Sequence, residues 1–169
     1  LNLIPFKHEQ MAHWRNALRG GISFLHTNTN IEIHGGIDAI WFDPVKKELV
    51  VVDYNTQSNS TPVETKSYLS NIYHQGYKIQ MDIYVHILRK MNFKVSDTAY
   101  FYVCNADRSY KKFDSKLNFT TTLVPYQTNT SWIDKKIIEM KQTLDSQEVP
   151  EINKSCEKCM HLNAGKDFI

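Results

Sequence analysis

Gly35-Gly36-Ile37-Asp38-Ala39-Ile40-Trp41 and Val50-Val51-Val52-Asp53-Tyr54-Asn55 are two apolar runs joined by Asp43-Pro44-Val45-Lys46-Lys47-Glu48. The joining segment has turn chemistry, so the pair reads as a β-hairpin. A turn centred between Val45 and Lys46 sets position 38 opposite position 53. Directly opposed residues on one face of an antiparallel pair have Cβ atoms roughly 4.5–5.5 Å apart. Two carboxylates at that separation repel unless a cation or a shared proton lies between them. A divalent metal resolves the conflict, and Asp38 and Asp53 are its candidate ligands.

The second run carries more information. Leu49-Val50-Val51-Val52 is apolar at consecutive positions, the pattern of a central strand covered on both faces. Side chains alternate along a strand, so Asp53 and Asn55 share one face and Val52 and Tyr54 the other. An unpaired charge at the end of such a strand is costly, which marks Asp53 as a residue with a partner.

Working outward, apolar spacing at Met11, Trp14 and Leu18 predicts a helix from about His8 to Leu18, stopped by Gly20-Gly21. Residues 22–25 and 31–34 read as one irregular strand or as a hairpin around Asn28-Thr29-Asn30, and residues 56–62 as a polar loop. Between Lys66 and Met91 a single apolar stripe predicts one long helix, on which Gln80 and Tyr84 sit at i and i+4, stacked toward the sheet. Strands follow over residues 98–103 and 119–124. A last helix over Trp132 to Leu144 is capped by Ser131, and Val149-Pro150 closes regular structure. This order implies an α/β fold, a mixed sheet with helices packed on its faces.

Composition narrows the class. A chain of 169 residues is one domain with a real core, and no apolar run approaches the roughly 20 residues needed to span a bilayer. A net charge of +2 does not by itself announce a nucleic-acid binder. Lys46-Lys47, Lys111-Lys112 and Lys135-Lys136 read as solvated surface pairs. Three cysteines make no disulfide framework; Cys104 reads as a buried structural thiol, and Cys156 and Cys159 form a C-x-x-C. The chain shows no secretory signal and begins at Leu1, as a fragment or a tag-free product would, and a cytoplasmic location is the default.

Taken together, Gly36-Ile37-Asp38, Val51-Val52-Asp53-Tyr54-Asn55 fifteen positions on, and helical Gln80-Met81-Asp82-Ile83-Tyr84 resemble the PD-(D/E)xK nuclease superfamily, in particular its RecB-like branch. The resemblance covers about Pro5 to Cys159. It implies a restriction-endonuclease-like mixed β-sheet core flanked by helices on both faces, over residues 1–150, with 151–169 as a C-terminal tail. It implies Mg²⁺ or Mn²⁺ held by Asp38 and Asp53, a catalytic set of Asp38, Asp53, Asn55, Gln80 and Tyr84, and nucleic acid, DNA foremost, as partner, with no membrane.

One position departs from the family pattern. The family's lysine, two residues after the second acid, is Asn55 here. Asn orients a water but does not stabilise accumulating negative charge as a cation does. Three explanations stand side by side: a relative that binds without cutting, a substitution introduced to trap a complex, or a lysine arriving from elsewhere, with Lys78 and Lys66 as candidates. The resemblance thus implies metal-dependent hydrolysis of DNA phosphodiester bonds, impaired or not by Asn55, or else an inactive nuclease-fold module gripping nucleic acid or a protein. His8, Glu9, Glu32 and His34 are further candidate ligands. By the same resemblance Cys156 and Cys159 are remnants of an iron–sulfur site, or bind Zn²⁺ with His161 and one more ligand.

Overall fold

The computed structural model describes residues 2–109 and 115–165. Lys111-Lys112 falls outside them. Seven strands are present among the described residues: β1 (Ile4–Pro5), β2 (Ile22–His26), β3 (Ile31–Gly35), β4 (Ala39–Asp43), β5 (Glu48–Asn59), β6 (Thr98–Asp107) and β7 (Phe119–Gln127). The helices are α1 (Met11–Trp14), α2 (Thr65–Ser70), α3 (Gln75–Lys90), α4 (Ile133–Asp145) and α5 (Glu157–Ala164), with a 3₁₀ turn at Ile72–His74.

The main sheet runs β1-β4-β5-β6-β7, and β2 with β3 forms a separate hairpin. Every pair in the main sheet is antiparallel except β5 with β6. Parallel neighbours need a crossover, and α2 and α3 supply it. The hairpin has the predicted register, with Ala39 opposite Val52 and Asp43 opposite Glu48. Its turn is held by Asp43, whose Oδ1 accepts the N–H groups of Val45 (2.9 Å) and Lys46 (3.0 Å).

β5 is the axis of the molecule. Val51 packs into the core with Met81, Tyr84, Val85 and Leu88 of α3, while Val50 and Val52, on the opposite face, are buried as well. That is the covered central strand expected of consecutive valines. Met81, Val85 and Leu88 are fully buried, so truncating Met81 or Leu88 to Ala costs about 2–5 kcal/mol.

Several elements differ from the sequence reading, each for an identifiable physical reason. α1 is one turn long: the Asn16 side chain accepts from the N–H groups of Leu18 and Arg19, which turns the chain and leaves Leu18 exposed. The Lys66–Met91 stripe is not one helix. Asn71 adopts extended backbone (ψ 127°), its side chain accepts from the Tyr73 N–H, and the break leaves Ile72 and Tyr73 in solvent. The expected 56–62 loop is instead largely strand, since β5 pairs with β6 as far as Asn59 opposite Asp107. Buried Asn105 latches this extension, accepting from Asn59 N and Gln57 Nε2 and donating to Asn59 O. Ser131 does not cap α4; its N–H and hydroxyl go to Asn129 Oδ1. Regular structure resumes after Pro150 as α5, and Cys104 is half-buried rather than buried.

Candidate functional site

Asp38 lies just before β4, at the point where the chain leaves its pairing with β5. Its Oδ2 accepts the N–H of Tyr54 at 2.9 Å, which ties the carboxylate to the neighbouring strand. Its main-chain carbonyl accepts from Arg15 Nε at 3.0 Å. The sequence reading did not single out Arg15; the cation reaches Asp38 only because α1 folds against the Gly36–Asp38 segment, with Ile37 N donating to Trp14 O.

Asp53 is buried beside it. Its Oδ2 accepts from Asn55 Nδ2 at 2.7 Å and its Oδ1 from Gln80 Nε2 at 3.2 Å. Burial first, then the charge of Asp38, pushes the Asp53 carboxyl up to about 6; the Asn55 amide partly offsets this and a carboxyl–carboxyl contact with Asp38 adds to it. Tyr84 stands one helical turn from Gln80 and donates to Gly36 O at 2.6 Å. Burial, then the charge of Asp53, pushes its phenol up to about 12, so it is a donor at every physiological pH. The approach needs a glycine: a Cβ on Gly35 would lie 2.7 Å from Tyr84 Cε1.

The five residues singled out in the sequence therefore sit in one connected patch. Asp38 reaches it through β5, Asn55 and Gln80 through the oxygens of Asp53, and Tyr84 through the Gly36 backbone. Tyr68 belongs beside them and was not foreseen. Its ring lies 5.6 Å from that of Phe101, the register partner of Asp53.

Other candidates go elsewhere. His8 stacks on Trp14 (4.3 Å between centroids), and its Nδ1 accepts from the Gln10 N–H. Glu32 and His34 are exposed on the separate hairpin. Lys78 Nζ is taken up by the Leu69 carbonyl at 3.2 Å, and Lys66 is exposed on α2. Lys46 pairs with Glu48, and Lys135 and Lys136 share Glu139, so one carboxylate offsets part of the charge of each lysine pair. Cys156 caps α5, its Sγ accepting from the Cys159 N–H, which holds its thiol below the usual range. Both thiols are free.

The donor set tells against some metals and fits others. Among the described residues no three His, Cys, Asp or Glu side chains converge, so a closed four-ligand Zn²⁺ site is not formed at Cys156, Cys159 and His161 or elsewhere. Two adjacent carboxylates, one of them buried and held back from ionising, suit a hard cation that keeps most of its water, as Mg²⁺ does.

No helix among the described residues is long and apolar enough to cross a membrane. A comparison with curated proteins finds no match. A family model described as the PD-(D/E)XK nuclease superfamily matches residues 4–164, nearly the whole chain; the mixed sheet with its helices is thus a restriction-endonuclease-like core, and the chain belongs to that superfamily.

Proposed function

We propose that this chain is a RecB-like, divalent-metal-dependent nuclease acting on DNA phosphodiester bonds, with Asp38 and Asp53 as metal ligands. Nucleases of the superfamily generally use divalent metals. The observation that carries the reading is the buried Asp53 carboxylate, set against a second carboxylate and gripped by two amide side chains. A bound ion would lower the pKa of a water, polarise the scissile phosphate and neutralise the leaving oxygen.

The remaining residues prepare that site. Gln80 and Asn55 fix the rotamer of Asp53 before any ligand arrives, which removes reorganisation from the reaction. Tyr84 clamps the backbone leading to Asp38. Arg15, anchored at the Asp38 carbonyl, brings a guanidinium to the rim, where it offers part of the positive charge that Asn55 lacks.

A specific observation favours the second reading, a nuclease-fold module that grips nucleic acid without cutting. Asn55 spends its amide on Asp53 rather than holding it toward a phosphate. Cleavage assays in Mg²⁺ and Mn²⁺ on single- and double-stranded DNA separate the two readings. Asn55→Lys is expected to raise cleavage by about 10²–10³-fold, and Arg15→Gln to lower whatever the parent shows. A parent and an Asn55→Lys variant that are both inert, yet retain DNA, would favour the binding module.

A further inference from the structure

β5 does not end at the carboxylates. Asp53, Asn55, Gln57 and Asn59 alternate onto the same face, so polar side chains step away from the site at about 6.6 Å intervals. The row leads into a cleft of about 220 Å³ between the end of β5 and α2. Gln57, Asn59, Glu64, Tyr68, Asn71 and His74 are among the residues that line it. Tyr68 is shared with the site, through its contact with Phe101 beside Asp53.

The lining chemistry says what the cleft would accept. Among the described residues no Lys or Arg lines it, and Glu64 would repel a phosphate, so these residues do not make a track for the nucleic-acid backbone. It offers neutral donors and acceptors instead. Gln57 uses its Nε2 on Asn105, and Asn71 uses its Oδ1 on the Tyr73 N–H. Among the described residues Gln57 Oε1 and Asn71 Nδ2 are thereby left for another partner, an acceptor and a donor of the kind that reads a base edge. The Tyr68 hydroxyl is buried and has no hydrogen-bond partner among the described residues. The His74 ring, part of the lining, stacks on that of Tyr77 at 5.4 Å, and Tyr77 is exposed enough to serve as a platform.

We propose that this cleft holds the base of an unpaired nucleotide beside the bond to be cut, so that the substrate is single-stranded DNA. The proposal rests on the nuclease reading of Asp38 and Asp53. A base inside a duplex hides its face in the stack and its edge in the pair; a single strand presents both. Aromatic stacking and edge contacts then add affinity that phosphate contacts alone do not give.

Fluorescence anisotropy with the full chain in Mg²⁺ tests this, with strand integrity checked on a gel. The probes are a labelled ten-nucleotide single strand, the same strand with abasic sugars throughout its centre, and a blunt duplex. Base-bearing single strand is expected to bind about 10-fold or more tightly than either alternative. Ser67→Phe, which fills the cleft from α2, should erase that preference, and Tyr68→Phe should reduce it. Equal affinity for base-bearing and abasic strands in the parent overturns the cleft inference and leaves the nuclease reading standing, and this comparison needs no variant to fold. A folded Ser67→Phe that keeps the full preference overturns it too. Failure to bind any of the three probes overturns the nuclease reading along with it.

Discussion

Two aspartates are buried to almost the same degree, Asp53 at 6% exposure and Asp82 at 5%, and their surroundings could hardly differ more. Asp82 on α3 is surrounded by donors: Tyr126 Oη (3.1 Å) and Asn129 N (2.9 Å) on one oxygen, Trp132 Nε1 (3.1 Å) on the other. These bonds pin the β7–α4 connection to α3. Asp53 has two amide donors and a rival carboxylate. A buried charge whose donors are complete is architecture; one left facing its own sign is held for a ligand.

The comparison is broken first at Asp82. Asp82→Ala removes the buried acceptor of three part-buried donors and is expected to cost about 3 kcal/mol, or roughly 10 °C in Tm for a chain of this size. Thermal melts check this, and Mn²⁺ affinity of the folded fraction should not change. A smaller loss, about 2 kcal/mol, is expected from Gly35→Ala, because the new Cβ meets the Tyr84 ring; cleavage should fall with it as the Tyr84–Gly36 bond is displaced. Denaturant midpoints and cleavage rates on the same preparation read both effects.

Asp53 should behave in the opposite sense. With its folded pKa raised to about 6 from 3.8, the native state holds a proton that the unfolded chain has lost. Metal-free stability is then full below about pH 4 and falls as pH rises to about 6. In EDTA at neutral pH, Asp53→Asn is expected to match or exceed the parent by about 1 kcal/mol and to flatten that pH dependence. A loss of stability like that of Asp82→Ala would make the two aspartates alike and remove the contrast.

How much of this the sequence carried can be traced element by element. The hairpin register was legible because an Asp-Pro turn and consecutive valines leave little choice of pairing, and with it came the meeting of Asp38 and Asp53. Gln80 was legible because helical periodicity aims it at the sheet, and Tyr84 for the same reason. The extension of β5 was not, since Gln57, Ser58 and Asn59 have turn-like composition and are held in strand by Asn105, 46 residues away from Asn59. Arg15 and Tyr68 were invisible for a similar reason: each reaches the site through tertiary packing that no local spacing encodes. The single helix expected over Lys66–Met91 was overridden locally at Asn71, by a side chain that caps the next turn in place of the backbone.

The central claim is that Asp38 and Asp53 together hold a divalent cation, and titration calorimetry with Mn²⁺ reads it most directly. The parent should bind Mn²⁺, competed by Mg²⁺, and both Asp38→Asn and Asp53→Asn should abolish the heat while Asp82→Asn, where it folds, retains it. Binding that survives Asp53→Asn, or a parent that takes up no Mn²⁺ at all, would contradict the account.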